Sequence, residues 1–302
     1  MPPIRNYIGG EWAESNAGKT FATTNPAAPG ETVAEYQQSG PDDATAAVAA
    51  AADARDGWAS TPAPERGAIL KAAGDALADR KDELTAQLTR EEGKTHAEAG
   101  GEVQRAIDIF HYYAQKTYDL GGTVKSSSGQ RTNLYTREEP VGVATLITPW
   151  NYPIAIPAWK IAPALAAGNT VTIKPASLAP GPAIAIVEAL DDAGIPDGVI
   201  NLVTGSGSTV GDALIGHDDV DAVSFTGSSA LGDVVYDLAT DDGKRVQTEM
   251  AGRNPTTVPA PPTTKQAADM VPSASSGVTP QTVTPGTTAF VSGTAKQGSW
   301  AR

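Results

Sequence analysis

The chain has 302 residues, 40% of them hydrophobic, and its 35 acidic and 22 basic side chains give a formal charge of -13 and a pI near 4.6. A surface of this sign repels phosphate groups, which argues against a nucleic acid or an anionic membrane as partner. The 302 residues include no cysteine, which excludes a disulfide, a thiolate metal site and a thiol nucleophile within them, and three histidines are too few to favour a metal site.

The acidic residues often occur in pairs, as in PDD, LDDAG and HDDVD. Two interpretations stay open: a protein of a high-salt cytoplasm, where carboxylates keep surfaces hydrated, or an ordinary acidic protein. The first residues, MPPIRNYIGGEW, contain no apolar signal core, and no apolar run is long enough to span a bilayer. We therefore expect a cytoplasmic location.

Residues 1–139 are predicted to form a β-hairpin followed by helices. The Gly-Gly of YIGGEW, between apolar residues, is typical of a hairpin turn. The segments DDATAAVAAAADARDGWAS, PERGAILKAAGDALADRKDELTAQLTREEG and EVQRAIDIFHYYAQKTYDL are each interpreted as one helix. The aromatic residues of the third segment, Phe110, Tyr112 and Tyr113, are expected to pack in the core rather than to bind a ligand.

Between residues 140 and 254, short apolar runs alternate with helical segments, from VGVATLITPW to RVQTEM. Continuous β-branched runs predict strands buried on both faces, and the helices between them predict an α/β fold with a doubly wound parallel sheet. Ligands of such sheets bind beyond the carboxyl ends of the strands. We therefore expect the functional site in the turns that follow Ile147, Ile173, Val203, Phe225 and Thr248.

Residues 255–302 differ in composition from the rest of the chain. They are rich in Pro, Thr, Ser and Ala, and Asp269 is their only acid, although the whole chain has 35 acids in 302 residues. A segment of this composition has little apolar surface to bury. We predict that it is poorly ordered.

Two glycine clusters follow predicted strands. GSGSTVG contains Gly205, Gly207 and Gly211, and TGSSALG contains Gly227 beside Ser228. A helix amino terminus after a glycine offers N–H groups and a positive dipole end to a phosphate, and Ser228 could add a hydroxyl. Neither cluster has the GxGxxG spacing, so a plain tight turn is the alternative for each. Their occurrence in consecutive β-α units favours a dinucleotide.

Three polar side chains lie at the ends of predicted strands. Lys174, after TVTI, could bond a ribose hydroxyl or a phosphate, or be merely solvated. Asn151, between the prolines of ITPWNYP, could donate to an oxyanion or cap a turn. Glu249 precedes a glycine turn, where a cleft of restricted solvation would suit a general base; simple exposure is the alternative.

Five motifs, ITPWNYP, IAPALAAGNTVTIKPAS, VINLVTGSGSTVG, AVSFTGS and QTEMAGRNP, resemble the NAD(P)-dependent aldehyde dehydrogenase family in order and interval. YIGGEW, TTNPAAP, REEGKT and TREEPVGV also follow the family order, so the resemblance covers residues 5 to about 255. Within the family the motifs look most like the haloarchaeal-type 2,5-dioxovalerate (α-ketoglutarate semialdehyde) dehydrogenases. The resemblance implies a Rossmann-like cofactor domain over residues 140–254. It also implies that residues 1–139 supply an N-terminal helical segment and a partial β oligomerisation element, since the family forms homo-oligomers.

The resemblance implies a role for each matching residue in the oxidation of a small aldehyde to a carboxylate. Asn151 would hold the substrate oxyanion, Lys174 the adenosine ribose and Ser228 the pyrophosphate. Glu249 would activate the water that hydrolyses an acyl-enzyme formed on a Cys thiolate. NAD-preferring members often carry Glu at the position of Ser177, so both NAD and NADP stay possible. The implied cofactor-binding residues are Ile147, Thr148, Pro149, Trp150, Lys174, Ala176, Ser177, Gly207, Gly211, Phe225, Thr226, Gly227, Ser228 and Met250.

The resemblance fails at the nucleophile. The family continues toward a GQ-x-C loop, and SGVTPQTVTP lies in that register with Val283 where the cysteine belongs. A valine side chain cannot attack a carbonyl. We therefore expect a chain truncated within the family's catalytic domain, with residues 255–302 as its degenerate start, that is catalytically dead. An NAD(P)-binding pseudoenzyme and a non-functional remnant are the alternatives.

Overall fold

A computed structural model describes residues 2–250 together with the backbone of two further strands, Thr256–Val258 and Ala289–Val291. The chain divides into two compact units, Met1–Glu249 and Met250–Arg302. The predictions for Val283 and for the order of residues 255–302 lie largely outside the described residues, which in that range are the two strands alone.

The described part of the first unit combines short strands with eight α-helices. Its strands are β1 (Asn6–Ile8), β2 (Glu11–Ala13), β3 (Thr20–Asn25), β4 (Ala28–Gln37), β5 (Val124–Ser126), β6 (Asn133–Tyr135), β7 (Val143–Ile147), β8 (Thr170–Lys174), β9 (Ile200–Leu202), β10 (Ala222–Gly227) and β11 (Arg245–Met250). Its helices are α1 (Pro41–Ser60), α2 (Ala63–Asp79), α3 (Lys81–Glu92), α4 (His96–Lys116), α5 (Ala155–Ala166), α6 (Gly181–Asp192), α7 (Asp212–Ile215) and α8 (Ser229–Asp241).

A seven-stranded sheet in the order β11-β10-β7-β8-β9-β1-β2 organises this unit. Strands β10, β7, β8 and β9 are parallel, and helices α5, α6, α7 and α8 connect the strands from β7 to β11. Every side chain of β7 and β8 is buried, as the continuous apolar runs predict. The predicted α/β fold with a largely parallel sheet is confirmed.

Side chains alternate between the two faces of the sheet, and each face has its own core. Leu146 and Ile173 pack on one face with residues of α2, α4, α5 and α6. Ile147 and Phe225 pack on the other face with residues of α1, α7 and α8. Helices therefore cover both faces, so the sheet is doubly wound as predicted.

The predicted amino-terminal hairpin exists and extends the central sheet. Gly9 and Gly10 form its turn with φ of 62° and 88°, a left-handed conformation in which a glycine carries no β-carbon penalty. Strand β1 pairs antiparallel with β9, with Tyr7 opposite Leu202. The hairpin thus completes the same sheet that carries the predicted site.

Two of the helix predictions need correction. The segment predicted as one helix from Pro64 is two helices, because the chain breaks at Arg80, with φ of -97° and ψ of 11°. The Ala- and Leu-rich pattern continues across Arg80, so periodicity does not reveal the break. Helix α4 begins six residues before the predicted Glu102, where Thr95 caps it and accepts from the Glu98 amide at 3.3 Å.

The aromatic cluster of α4 is only partly in the core. Phe110 is fully buried, whereas Tyr113 is half-buried and Tyr112 is 56% exposed. The two tyrosine rings meet edge to face with their centres 5.1 Å apart, and Tyr113 packs against the edge of the core. The prediction of core packing is therefore correct for Phe110 and wrong for Tyr112.

Strands β5 and β6 form an antiparallel hairpin whose six residues are all exposed. This hairpin lies in the region where the sequence predicts a β element for oligomerisation.

No helix within the described residues is long and apolar enough to cross a membrane. Within the same residues, no group of three or more His, Asp or Glu side chains could hold a metal ion.

The second unit is described by one strand pair. Thr256–Val258 runs parallel to Ala289–Val291, with Thr256 opposite Ala289.

Candidate functional site

Three of the predicted turns meet at one edge of the sheet. Ile147, the last residue of β7, lies opposite Lys174 on β8 and opposite Phe225 on β10. The amide of Thr148 donates to the Lys174 carbonyl at 3.3 Å, so the chain segments leaving β7 and β8 begin side by side. The parallel register therefore gathers the residues that follow these strands.

Lys174 is a buried cation at this edge. Its Nζ donates to the carbonyl oxygens of Pro175 at 3.0 Å and Gly205 at 3.2 Å. Burial lowers the pKa of Lys174 to about 8, and no carboxylate of residues 2–250 offsets that effect. The Ser177 hydroxyl donates to the same Gly205 carbonyl at 2.9 Å. A buried ammonium without a counter-charge is suited to bind an anionic or hydroxyl-bearing ligand.

The first glycine cluster lies against Lys174. Gly205 has φ of 146°, which an L-residue rarely adopts, and Gly207–Gly211 forms one π-helical turn that leads into α7. A β-carbon on Gly211 would lie 3.7 Å from Lys174 Cε and 3.9 Å from Ile147 Cδ1. No atom of the described residues lies within 4 Å of a β-carbon built on Gly207, so the first unit leaves the space beside it open. The cluster therefore forms one wall beside the buried cation.

The second glycine cluster joins β10 to α8. A β-carbon on Gly227 would lie 2.5 Å from the Phe225 ring, so a side chain at this position would collide with it. Ser228 caps α8, and its hydroxyl oxygen accepts from the Leu231 amide at 3.4 Å. Ser228 therefore acts first as a helix cap, and its O–H remains able to donate to a ligand at the positive end of the helix dipole.

The segment after β7 carries an unsatisfied polar atom. Thr148 is 3% exposed, and its Oγ1 has no hydrogen-bond partner among the described residues. Buried hydroxyls normally have a partner, so one without a partner marks a position where a ligand or water could bind. Pro149 is half-buried, and Trp150 is 42% exposed.

Asn151 is held through its backbone. Its carbonyl oxygen accepts from Lys94 Nζ at 2.9 Å, and its half-buried side chain makes no hydrogen bond within residues 2–250. The Asn151 amide is therefore available as a donor. Lys94 in turn pairs with Glu102 at 2.5 Å, in a fully buried contact.

Glu249 ends a series of hydrogen bonds that begins at a second buried lysine. Lys160 Nζ donates to Ser224 Oγ at 2.6 Å, and Ser224 donates to Gln247 Oε1 at 2.9 Å. Gln247 Nε2 donates to Glu249 Oε1 at 3.2 Å. Burial lowers the pKa of Lys160 to about 8, and the negative charge of Glu249 opposes that shift.

The expectation of a poorly solvated Glu249 is not met. The side chain of this residue is exposed at the end of β11, because that strand forms the outer edge of the sheet. Met250, one residue further, is 40% exposed, and Ala176 is half-buried. Val283 lies outside the described residues.

Sequence reasoning did not identify Lys94, Glu102 and Lys160. Lys160 could have been found, since it is the only charged residue in the apolar segment IPAWKIAPALA. Such a lysine is buried only where a partner holds it. Lys94 and Glu102 lie in an ordinary charged stretch, and no local signal distinguishes them from solvent-exposed residues.

These residues together fit a dinucleotide. Lys174 supplies a cation, the amino terminus of α8 supplies a dipole, and Thr148 supplies an unsatisfied hydroxyl. Asn151 and Glu249 add an amide donor and a carboxylate. The arrangement can therefore bind a phosphate-bearing ligand and stabilise negative charge near it.

Comparison with known proteins gives a consistent match. A sequence profile described as "Aldehyde dehydrogenase family" matches residues 12–297. An alpha-ketoglutarate semialdehyde dehydrogenase of Haloferax volcanii is 62% identical over 282 residues, which are 93% of this chain and 58% of that protein. An alpha-ketoglutaric semialdehyde dehydrogenase of Bacillus subtilis is 43% identical over 84% of this chain and 52% of its own length.

Solved structures agree with the sequence relatives. A betaine aldehyde dehydrogenase of Staphylococcus aureus, crystallised in complex with NAD+, matches with a TM-score of 0.85 and 35% identity, over 88% of this chain and 54% of that one. A 3,6-anhydro-L-galactose dehydrogenase matches with a TM-score of 0.84 and 32% identity, over 90% of this chain and 57% of that one. The chain thus spans little more than half the length of the relatives it matches.

Proposed function

Because the chain belongs to the aldehyde dehydrogenase family, we propose that residues 2–250 contain its NAD(P)-binding unit and that this chain binds the cofactor without oxidising an aldehyde. The observation that carries the proposal is the buried Lys174, whose ammonium has no counter-charge among the residues that the structure describes and lies against the Gly207–Gly211 turn. The relatives crystallised with NAD+ support this assignment.

The residues at the sheet edge would bind different parts of the cofactor. Lys174 would donate to ribose hydroxyls, and the amino terminus of α8 with Ser228 would bind the pyrophosphate. Phe225, Thr226 and Gly227 would form the floor beside them, with Ile147 and Pro149 on the neighbouring strand end. Bound NAD(P)+ would supply the hydride acceptor. We propose no preference between NAD and NADP, since Ser177 carries no charge that would repel a 2′-phosphate.

Two further residues would act on the substrate. The Asn151 amide would donate to the oxygen of the aldehyde as negative charge develops on it. In the full reaction of the family, Glu249 would take a proton from the water that hydrolyses the acyl-enzyme, and its exposure leaves access for a water molecule. The names of the relatives favour a semialdehyde, such as that of α-ketoglutarate, as the substrate of the full reaction.

The covalent step has no nucleophile in this chain. The 302 residues contain no cysteine, and Val283 occupies the position in register with it. Cofactor binding and the two substrate-directed groups are therefore what we propose for this chain, in a cytoplasm of high salt concentration and without a nucleic acid or membrane partner. Homo-oligomerisation through the exposed β5-β6 hairpin would follow the family pattern.

Titration of the purified chain with NAD+, NADP+ and NADH in molar KCl tests the proposal by quenching of tryptophan fluorescence. We expect saturable binding and no NADH formation from added α-ketoglutarate semialdehyde. Lys174→Met should weaken NADH binding at least tenfold, because it removes the buried donor, whereas the exposed Lys71→Met on α2 should leave it unchanged.

The pH dependence adds a second readout. Lys174 loses its charge as the pH rises above about 8, so NADH affinity should fall from pH 7 to pH 9 in the wild-type chain and stay flat in Lys174→Met. Absence of any binding would contradict the proposal and favour the non-functional remnant. Turnover above the blank would show that another group replaces the missing thiol.

A further inference from the structure

A buried ion pair outside the cofactor residues holds the segment that carries Asn151. Lys94 lies between α3 and α4, and Glu102 lies in the second turn of α4. Their side chains are each 1% exposed, and Lys94 Nζ lies 2.5 Å from Glu102 Oε2 and 3.6 Å from Glu92 Oε2. Removing charges from water is costly, so stability alone is a weak explanation for such a pair.

The other contacts of the pair converge on one short segment. Lys94 Nζ donates to the Asn151 carbonyl at 2.9 Å and lies 4.4 Å from the centre of the Tyr152 ring. Glu102 Oε1 accepts from the amides of Ile154 at 3.0 Å and Ala155 at 3.1 Å. The pair therefore contacts four of the five residues from 151 to 155.

These contacts fix a segment that lies mostly outside helices and strands and so lacks a regular pattern of backbone hydrogen bonds. It connects β7 to α5, and the amides of Ile154 and Ala155 are among the first of α5, which have no partner inside the helix. Glu102 satisfies those amides, and Lys94 fixes the orientation of the peptide that follows Asn151. The point where α5 begins and the direction of the preceding turn thus depend on two side chains from another layer of the fold.

We infer that Lys94 and Glu102 are positioning residues that set the orientation of the Asn151 side-chain amide toward the oxygen of a bound aldehyde. The inference rests on the role proposed above for Asn151. Neither side chain needs to touch substrate or cofactor, because each acts through the backbone of residues 151–155. If the pair only stabilised the fold, its loss would weaken the whole unit without a separate effect on Asn151.

The test replaces both charges at once. Lys94→Met/Glu102→Met removes the pair without leaving a lone buried charge, a change that buried pairs often tolerate. Glu102→Gln separates the two sets of contacts, since its oxygen can still accept from Ile154 and Ala155 while its NH2 group cannot pair with Lys94. Arg66→Met is the matched control, because Arg66 is another buried cation and binds the Ala166 carbonyl at the far end of α5.

Two local measurements report on the segment: hydrogen exchange of the Ile154 and Ala155 amides, and the side-chain amide resonance of Asn151, assigned by its loss in Asn151→Asp. We expect the double variant to exchange these amides at least tenfold faster and to broaden or split the Asn151 resonance. Glu102→Gln should keep the exchange of the two amides slow and still alter the Asn151 resonance, because only the contact with Lys94 is lost. Arg66→Met should lower the melting temperature and leave both readouts unchanged.

NADH titration of the same samples separates this inference from the proposed function. An unaltered Asn151 resonance and unaltered exchange in the folded double variant would overturn the inference, whatever the NADH result. Should the double variant not fold, the wild-type chain decides, because unprotected Ile154 and Ala155 amides would also overturn it. A wild-type chain that fails to bind NADH but shows the expected local changes would contradict the proposed function and leave the positioning of the segment intact.

Discussion

Glu91 is a buried carboxyl group whose surroundings favour its neutral form. The hydroxyl of Tyr36 donates to its Oε1 at 2.6 Å, and that of Thr23 donates at 3.2 Å. Burial nevertheless raises the pKa of Glu91 to about 7, because these two hydroxyls and the Gly181 backbone amide, all neutral donors, do not replace the lost hydration of a charge. The adjacent Glu92 has its pKa raised to about 7 by the same cause.

The raised pKa of Glu91 predicts a stability that falls as the pH increases. Between about pH 4.5 and pH 7 the folded chain binds more protons at this group than the unfolded chain, so the free energy of unfolding decreases across that interval. Glu91→Gln keeps an oxygen for Tyr36 and removes the titration. We expect the variant to match the wild type at pH 4 and to exceed it at pH 8 by on the order of 3 kcal/mol.

Urea unfolding at both pH values in molar KCl measures this difference. Glu65→Gln, at an exposed carboxylate of α2, is the control and should change neither value. Glu92 also titrates with a raised pKa in all three proteins. In Glu91→Gln the free energy of unfolding should therefore still fall with pH, but less steeply than in the wild type. A variant that loses stability at pH 8 would mean that the ionised form of Glu91 is the favoured one.

Individual site residues differ in how far the sequence could predict them. Lys174 is buried at the edge of the sheet as its position after TVTI suggests, because the end of a buried strand fixes where the next residue lies. Glu249 also ends a strand, but its strand is at the edge of the sheet, so the residue is exposed. Strand order depends on contacts between distant segments, and no local pattern encodes it.

At the scale of elements, two glycines of one loop share a backbone conformation but differ in the space around them. Gly194 and Gly198 lie between α6 and β9 with φ of 76° and 78°. A β-carbon on Gly194 would meet nothing within 4 Å, whereas one on Gly198 would lie 2.5 Å from the Ala50 carbonyl oxygen of α1. Both residues adopt the left-handed conformation, but only at Gly198 would a β-carbon also collide with the backbone of α1.

Replacing each of these two glycines by alanine should therefore lower the free energy of unfolding by different amounts. Gly194→Ala should lower the free energy of unfolding by about 1 kcal/mol, which is the cost of the left-handed backbone for an L-residue. Gly198→Ala should lower it by about 2–4 kcal/mol, because the backbone of α1 must also move. Chemical denaturation of the two variants measures both values. Equal losses would show that α1 is free to shift away from the loop.

The elements show where sequence reasoning succeeds. Strands β7 and β8 and the amino-terminal hairpin follow from apolar runs and a glycine turn, which are local properties. The break at Arg80 was not predicted, since helix propensity is high on both sides of it. The pairing of β1 with β9 was also beyond prediction, because it joins residues far apart in the chain.

For the whole molecule, the dominant property is a formal charge of -13. Like charges on a compact surface repel one another, and the Debye length falls from about 10 Å at 0.1 M salt to about 3 Å at 1 M. Raising KCl from 0.05 M to 1 M should therefore stabilise the chain by on the order of 2 kcal/mol, or about 4–8 °C in melting temperature. Scanning calorimetry across a KCl series measures the gain.

Sodium chloride distinguishes screening from specific binding. Screening depends on ionic strength, so NaCl should give the same increase as KCl at each concentration. A gain that only potassium produces would instead require a site for that cation. A melting temperature independent of salt would mean that the acidic pairs are too far apart to repel each other appreciably.

The pairing of Tyr7 with Leu202 also has a consequence for synthesis on the ribosome. At about 5–20 residues per second, the 195 residues that follow Tyr7 up to and including Leu202 take roughly 10–40 s to translate. An isolated two-stranded hairpin is at best marginally stable in water. Strand β1 is therefore synthesised well before β9, and during that interval the edge that later pairs with β9 has no partner strand.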